Sequence, residues 1–210
     1  MNSSQRKKFI WYFRKRLKSL NYCNATFEST IEAEKQGLTD SVNNGKIQPN
    51  SPELNKAFFE YDYHILPTFR NCMLLGACTL IEDVLLRFGT DIIPDFKVHV
   101  HELSRSRMST VRKYLQVLES QLTIDFTFIE NDLQLIDDIF KIRNAIAHAW
   151  GKIDSCNNHA ALRVIISRRS WVQETGDGYI LVEDVAYADA ITPVLTLVEH
   201  ILDSVPVSDD

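Results

Sequence analysis

Glycine and proline are scarce, at 7 and 6 of 210 residues, which excludes low-complexity and collagen-like chains and leaves few natural breaks in long elements. Cysteine is equally sparse. Cys23, Cys72, Cys78 and Cys156 show no CxxC spacing, so they read as reduced thiols rather than a disulfide framework or a zinc ribbon. Excess positive charge is also lacking: the formal net charge is −5 and the sequence pI about 5.7. Bulk charge therefore cannot hold nucleic acid, and any such contact has to be a focused patch. The longest apolar run, residues 72–86, contains Glu82 and Asp83 and is shorter than the roughly 20 residues a spanning helix needs. Met1 to Lys18 is broken by Arg14, Lys15 and Arg16 and has no signal-peptide apolar segment, so the Asn24-Ala25-Thr26 sequon reads as chance. No phosphate-cradling Gly-rich loop, GxSxG elbow or Walker motif is present, which argues against nucleotide hydrolysis. These absences lead us to expect a soluble, cytoplasmic protein without a membrane partner.

Hydrophobic residues make up 45% of the chain, enough for one packed domain plus an extension. Residues 5–20 set Phe9, Ile10, Phe13, Leu17 and Leu20 at helical spacing among seven Lys or Arg. The pattern predicts an amphipathic basic helix, its charges either simply solvated or meeting a membrane surface or RNA phosphates. A second helix is expected over 26–42, followed by a linker at Asn43-Asn44-Gly45 and Pro49-Asn50-Ser51-Pro52. The chain thus divides into an N-terminal helical extension, 1–50, and a helical domain, 51–210. Ser51, Pro52 and Glu53 suit a helix start, and Pro67 should kink or restart the path. Phe69, Met73, Leu74, Ala77, Leu80, Ile81, Val84, Leu85 and Phe88 predict a long buried helix ending near Gly89. A further helix is expected over 104–122. Residues 125–129 alternate like a short strand or an extended connector, and the next helix runs from Asn131 or Asp132 to about Trp150, stopped by Gly151. Between residues 165 and 182, apolar groups flank Gly176-Asp177-Gly178, the chemistry of a hairpin turn. A last helix, 184–202, carries Pro193 as an expected kink. The fold class is mainly α: a helical bundle with a small β-hairpin inserted before the last helix.

The segment Arg143-Asn144-Ala145-Ile146-Ala147-His148 stands out chemically. With Ile142 at zero and about 100 degrees per residue, Leu135, Ile139, Ile146 and Ala149 form a core stripe. Leu133, Phe140 and Ala147 form a second stripe on roughly the opposite side. Arg143, Asn144 and His148 bracket it, with Asn144 and His148 one turn apart and able to touch. Docked on its own copy across a twofold axis, the second stripe makes a dimer interface and brings both polar sets to one groove. Packed under the hairpin or the N-terminal helices, it leaves a monomer.

Arg143-Asn144, three residues and then His148, at the end of a helix beside a glycine, resembles the Arg-polar-x3-His signature of the HEPN superfamily. The order of elements is similar too: a long helix containing Glu82, a helix near Arg112, the motif helix and a closing helix from Asp184. The resemblance covers about Pro52 to Val205, and its specificity lies in the motif. It implies a HEPN-like bundle with metal-independent endoribonuclease activity, no cofactor and often a homodimer, in toxin–antitoxin or phage-defence systems with an antitoxin or defence-system partner. It assigns His148 as general base or acid, Arg143 as the cation stabilising phosphate charge, and Asn144 as the residue orienting either. The chemistry is compatible, since histidine ordinarily titrates near neutrality and arginine never gives up its charge. RNA would be held by a basic patch, for which Arg105, Arg107, Arg112 and Lys113 are the candidates, with a plain solvated helix surface as the simpler account.

Two other readings compete. A zinc site would have to use His99, His101, Glu102, Cys156 and His159, which lack the usual ligand spacing. A non-catalytic HEPN-like module, used for dimerisation, nucleotide binding or protein interaction, would give Arg143 and His148 structural or ligand-binding roles.

Overall fold

The computed structural model describes residues 3–106, 108–122, 130–183, 186, 189 and 192–205, with the side chains of 130–132, 194 and 195 excepted. Helix α1, Ser3–Asn43, is one continuous rod where two helices were expected. The reason is local: residues 21–25 contain neither glycine nor proline, so nothing interrupts hydrogen bonds already propagating from either side. Its Phe13 is fully buried in the main core, so the first half of the supposed extension is a core element. The chain turns at Gly45, φ +69°, and restarts at α2, Pro52–Phe59. As anticipated, Ser51 caps α2 by accepting the Leu54 N–H at 3.2 Å, with Pro52 and Glu53 in the first turn.

Pro67 acts upstream of itself. A π-helical segment, Glu60–Ile65, precedes α3, Leu66–Ile92, and the Leu66 N–H reaches back to the Tyr61 carbonyl. Proline has no N–H to continue an α-helical ladder and crowds the preceding turn, so the proline marks the change of pitch. Beyond it α3 buries Met73, Leu74, Ala77, Cys78, Ile81, Val84, Leu85 and Phe88 and is the central post of the bundle, touching α1, α6 and the helices that follow it. It does not stop at Gly89. That glycine is interior, and a Cβ there would lie 2.3 Å from the Phe96 ring. Glycine is needed for close approach, not for a helix end.

Residues 96–102 form a short helix, α4 (Phe96–Glu102), followed by a 3-10 turn at Leu103–Arg105. Helix α5 therefore starts at Thr110 and runs to Leu122, later than expected. Ser109 caps it, its Oγ accepting the Arg112 N–H at 3.3 Å. The strand-or-connector segment 125–129 lies outside the described residues. Helix α6, Glu130–Ala149, is followed by α7, His159–Arg168, which takes in Ile165 and Ile166, the first apolar residues of the expected hairpin region. The hairpin itself is β1, Val172–Glu174, and β2, Ile180–Val182, paired antiparallel with Gln173 opposite Leu181. Gly178, φ +78°, supplies the left-handed turn residue. The last helix is described as α8, Thr192–Ser204; most of residues 184–191, on which the expected kink at Pro193 depends, lie outside the described residues. The molecule is thus a mainly helical bundle with a two-stranded antiparallel hairpin before its last helix. No described helix is long and apolar enough to cross a membrane.

Candidate active site

Helix α6 carries the Arg-Asn-His segment, and its surroundings change along its length. In the first half, Leu133, Leu135, Ile136, Asp138, Ile139 and Phe140 are all buried, because α3, α7 and α8 pack on different sides. In the second half one side emerges, exposing Lys141, Asn144, Ala147 and His148. The expected dimer stripe is therefore corrected. Leu133 and Phe140, at 5% and 2% exposure, are spent on the chain's own core, and only Ala147 reaches the surface. A helical wheel assigns all turns the same environment, and here the turns differ. Of the core stripe, Leu135, Ile139, Ile142 and Ile146 are buried as read, while Ala149, at the end of the helix, is half-buried.

A buried carboxylate holds α6 in register. Asp138, with 0% exposure, accepts from Gln134 one turn earlier (3.1 Å), from Arg168 Nη2 (2.5 Å) and from Arg169 Nε (2.9 Å). A buried charge persists only when paired and hydrogen-bonded, and this one ties the motif helix to the end of α7. Its two arginine partners are 30 and 31 residues away in sequence, which is why sequence patterns did not show it.

The far end of α6 is fixed differently. Trp150 adopts a left-handed conformation, φ +54°, followed by Gly151 at +76°, and the Gly151 N–H closes the helix on the Ala145 carbonyl at 3.1 Å. The hairpin then grips this exit: Ile180 N–H donates to the Gly151 carbonyl (2.9 Å) and Ile153 N–H to the Gly178 carbonyl (3.0 Å). Trp150 is left 91% exposed, two residues beyond His148. Sequence reading used it only as a helix end, yet a tryptophan beside the motif was the available signal.

Arg143 is anchored. Its Nη1 donates to Asn144 Oδ1 at 2.9 Å, and its Nη2 lies 3.7 Å from Glu82 Oε2 on α3. Both ionic side chains are 24% exposed, and the Arg143 Nε is buried with no partner among the described residues. Asn144 thus serves Arg143, where a contact to His148 had been thought available. Burial pushes the Glu82 carboxyl above its ordinary range, and Arg143 pulls it partly back. The same desolvation raises the Tyr114 hydroxyl, with the Glu82 charge adding to it. The Cys78 thiol is raised by burial and by Glu82, against the pull of Arg143. Glu82, Tyr114, Cys78 and Arg143 therefore share one low-dielectric neighbourhood. Glu82 was legible only as a charge in an apolar run. Its neighbour Asp83 faces outward to Arg87 at 2.8 Å.

His148 is exposed, and its ring makes no hydrogen bond or ion pair to any described residue. Arg143, Asn144 and His148 therefore lie on the last two turns of one helix: a cation with a partly screened charge, its amide partner, and a ring open to solvent. Such a set can place positive charge on a phosphate and move a proton beside it.

The expected RNA patch at the start of α5 and just before it is not brought together as a free surface. Arg105 is exposed, Arg107 lies outside the described residues, Arg112 is paired with Asp137 of α6 at 3.4 Å, and Lys113 is half-buried. The five metal-ligand candidates are also dispersed. His99 meets Glu102 within α4 at 3.4 Å, His159 contacts the Cys156 carbonyl at 3.3 Å, and no group of three His, Cys, Asp or Glu able to hold a metal ion forms among the described residues. The chain matches no protein-family model, and neither the curated proteins nor the solved structures contain a significant match to it.

Proposed function

We propose that this protein is an endoribonuclease of the HEPN type, cutting RNA without a metal through the ribose 2'-hydroxyl, in a toxin–antitoxin or phage-defence setting. The observation that carries the reading is the arrangement at the end of α6. Arg143 is held by Asn144 and Glu82, while His148, five residues further on, is exposed and makes no hydrogen bond or ion pair to any described residue. In the reaction His148 takes the proton from the 2'-hydroxyl or delivers one to the departing 5'-oxygen. The 2'-oxygen bonds to phosphorus as the bond to the 5'-oxygen breaks, and Arg143 stabilises the added charge on the phosphoryl oxygens. The products are a 2',3'-cyclic phosphate and a 5'-hydroxyl, and DNA is not cut. Trp150, 91% exposed, offers a ring on which a base next to the scissile phosphate can stack. A homodimer belongs to this reading, formed by the outward face of Asn144, Ala147 and His148 in place of the buried stripe.

One observation favours a second reading. The Arg143 charge already faces Glu82 and its side chain is mostly covered, as in an arginine that braces α6 against α3 within a non-catalytic binding module. The two are separated by incubating end-labelled mixed-sequence RNA in EDTA with wild type, His148→Ala and Arg143→Ala, each verified as folded. Cleavage with cyclic-phosphate ends by wild type, reduced about 10²-fold or more in both variants, supports the ribonuclease. Folded wild type without cleavage favours the bracing role, and cleavage retained by both variants removes the assigned site.

A further inference from the structure

Positive charge is steeply segregated. The first 27 residues hold seven Lys or Arg and no carboxylate, Glu28 being the first acid of the chain, so the remainder carries a formal charge of −12. Helix α1 displays most of that charge on one side. Its inward face, with Phe13 and Leu17 buried and Phe9 tilted against Phe88 at 5.7 Å, is spent on the core. Opposite, Lys7, Trp11, Lys15, Lys18 and Tyr22 recur at intervals of four, four, three and four. They fall within about 80 degrees of one another and span roughly 22 Å along the helix.

All five are exposed, including the two rings, Trp11 at 62% and Tyr22 at 72%. The Lys15 ammonium sits over the Trp11 ring at 4.9 Å, and a surface pocket lined by Ser3, Ser4, Lys7, Lys8 and Trp11 opens beside it. Among the described residues no carboxylate pairs with Lys7, Lys15 or Lys18. The arginines at the flank are engaged, Arg14 with Glu199 of α8 at 2.8 Å and Arg6 with the Asp203 carbonyl at 3.5 Å. A helix that lies on a membrane presents its apolar face to the lipid, but here that face is already packed. Lysines interleaved with exposed rings suit a different polyanion: a single strand whose phosphates meet the ammonium groups while its bases stack on the rings.

We propose that this face of α1 binds single-stranded RNA, Lys7, Lys15 and Lys18 contacting phosphates and Trp11 and Tyr22 stacking on bases over roughly four nucleotides. The proposal rests on the ribonuclease reading only in choosing RNA over DNA. It locates the strand-holding surface on α1, where the sequence pointed to residues 105–113.

The test uses the full chain carrying His148→Ala, in EDTA, with a fluorescein-labelled oligouridylate followed by anisotropy over a salt series, so that binding is read without cleavage. The triple variant Lys7→Gln, Lys15→Gln, Lys18→Gln should bind roughly tenfold or more weakly at low salt and flatten the log–log salt slope by about 2. The Trp11→Ala, Tyr22→Ala variant should lose about 30-fold or more with the slope unchanged. Unaltered circular dichroism will show that α1 is intact in both. The proposal is overturned by no binding, by binding indifferent to both variants, or by preference for phosphatidylserine vesicles over RNA. Binding without cleavage by wild type would remove the ribonuclease reading and keep this surface. Cleavage without α1-dependent binding would do the reverse.

Discussion

Asp138→Asn isolates the interaction that sets the motif helix in place. The wild-type carboxylate is fully buried and receives Gln134, Arg168 and Arg169. Asparagine keeps the shape but turns one acceptor oxygen into a donor aimed at a guanidinium and removes the counter-charge. Stranding a charge by breaking a buried pair costs about 3–5 kcal/mol. Here the arginine side chains are 42% and 25% exposed, so the guanidinium groups regain water and the expected loss falls to about 2–3 kcal/mol. At roughly 2–4 °C per kcal/mol for a chain of this size, Tm should drop by roughly 4–12 °C. Urea and thermal denaturation at neutral pH, followed by far-ultraviolet circular dichroism, measure both quantities. Arg169→Gln alone and combined with Asp138→Asn would close a double-mutant cycle, in which the coupled pair should be less than additive. A loss below about 0.5 kcal/mol, the scale of ordinary surface changes, would refute the claim that this carboxylate fastens α6 to α7.

Gly89→Ala should destabilise by about 1–3 kcal/mol or more, because the new methyl would meet the buried Phe96 ring at 2.3–2.6 Å. Recovery in Gly89→Ala, Phe96→Leu, measured by urea midpoint, would identify the ring as the cause. For Glu82 the folded carboxyl lies above its ordinary value, so its contribution to stability is complete below the unfolded value and is lost as pH rises through the folded one. Glu82→Gln abolishes that titration. Wild type should lose more stability than the variant as pH rises from the ordinary carboxyl range toward neutrality, and urea midpoints showing the opposite trend would contradict the buried setting of Glu82.

Much of the architecture follows from local chemistry. The Ser51-Pro52-Glu53 start, the helical repeat of α3, the helix ending beside Gly151 and the glycine-bearing hairpin turn are each set by residues within a few positions of one another. Such features depend on backbone dihedrals, side-chain caps and one repeating apolar face, so they are legible in one dimension. The Arg143-Asn144-His148 spacing is of this kind, since placement on the last two turns of a helix needs only the rise and twist of that helix.

What neighbours do was decided by the tertiary structure. Gly89 looked like a terminator and is a seat for Phe96. Glu82 and Asp83 are adjacent in sequence, yet one turns to Arg143 and the other to Arg87. Leu133 and Phe140 shared a wheel sector with Ala147 but lie where other helices cover that side of α6 as well as its core side. A repeat in sequence specifies that a face is apolar; which parts of that face are buried, and by what, depends on elements that meet it only after the chain has folded.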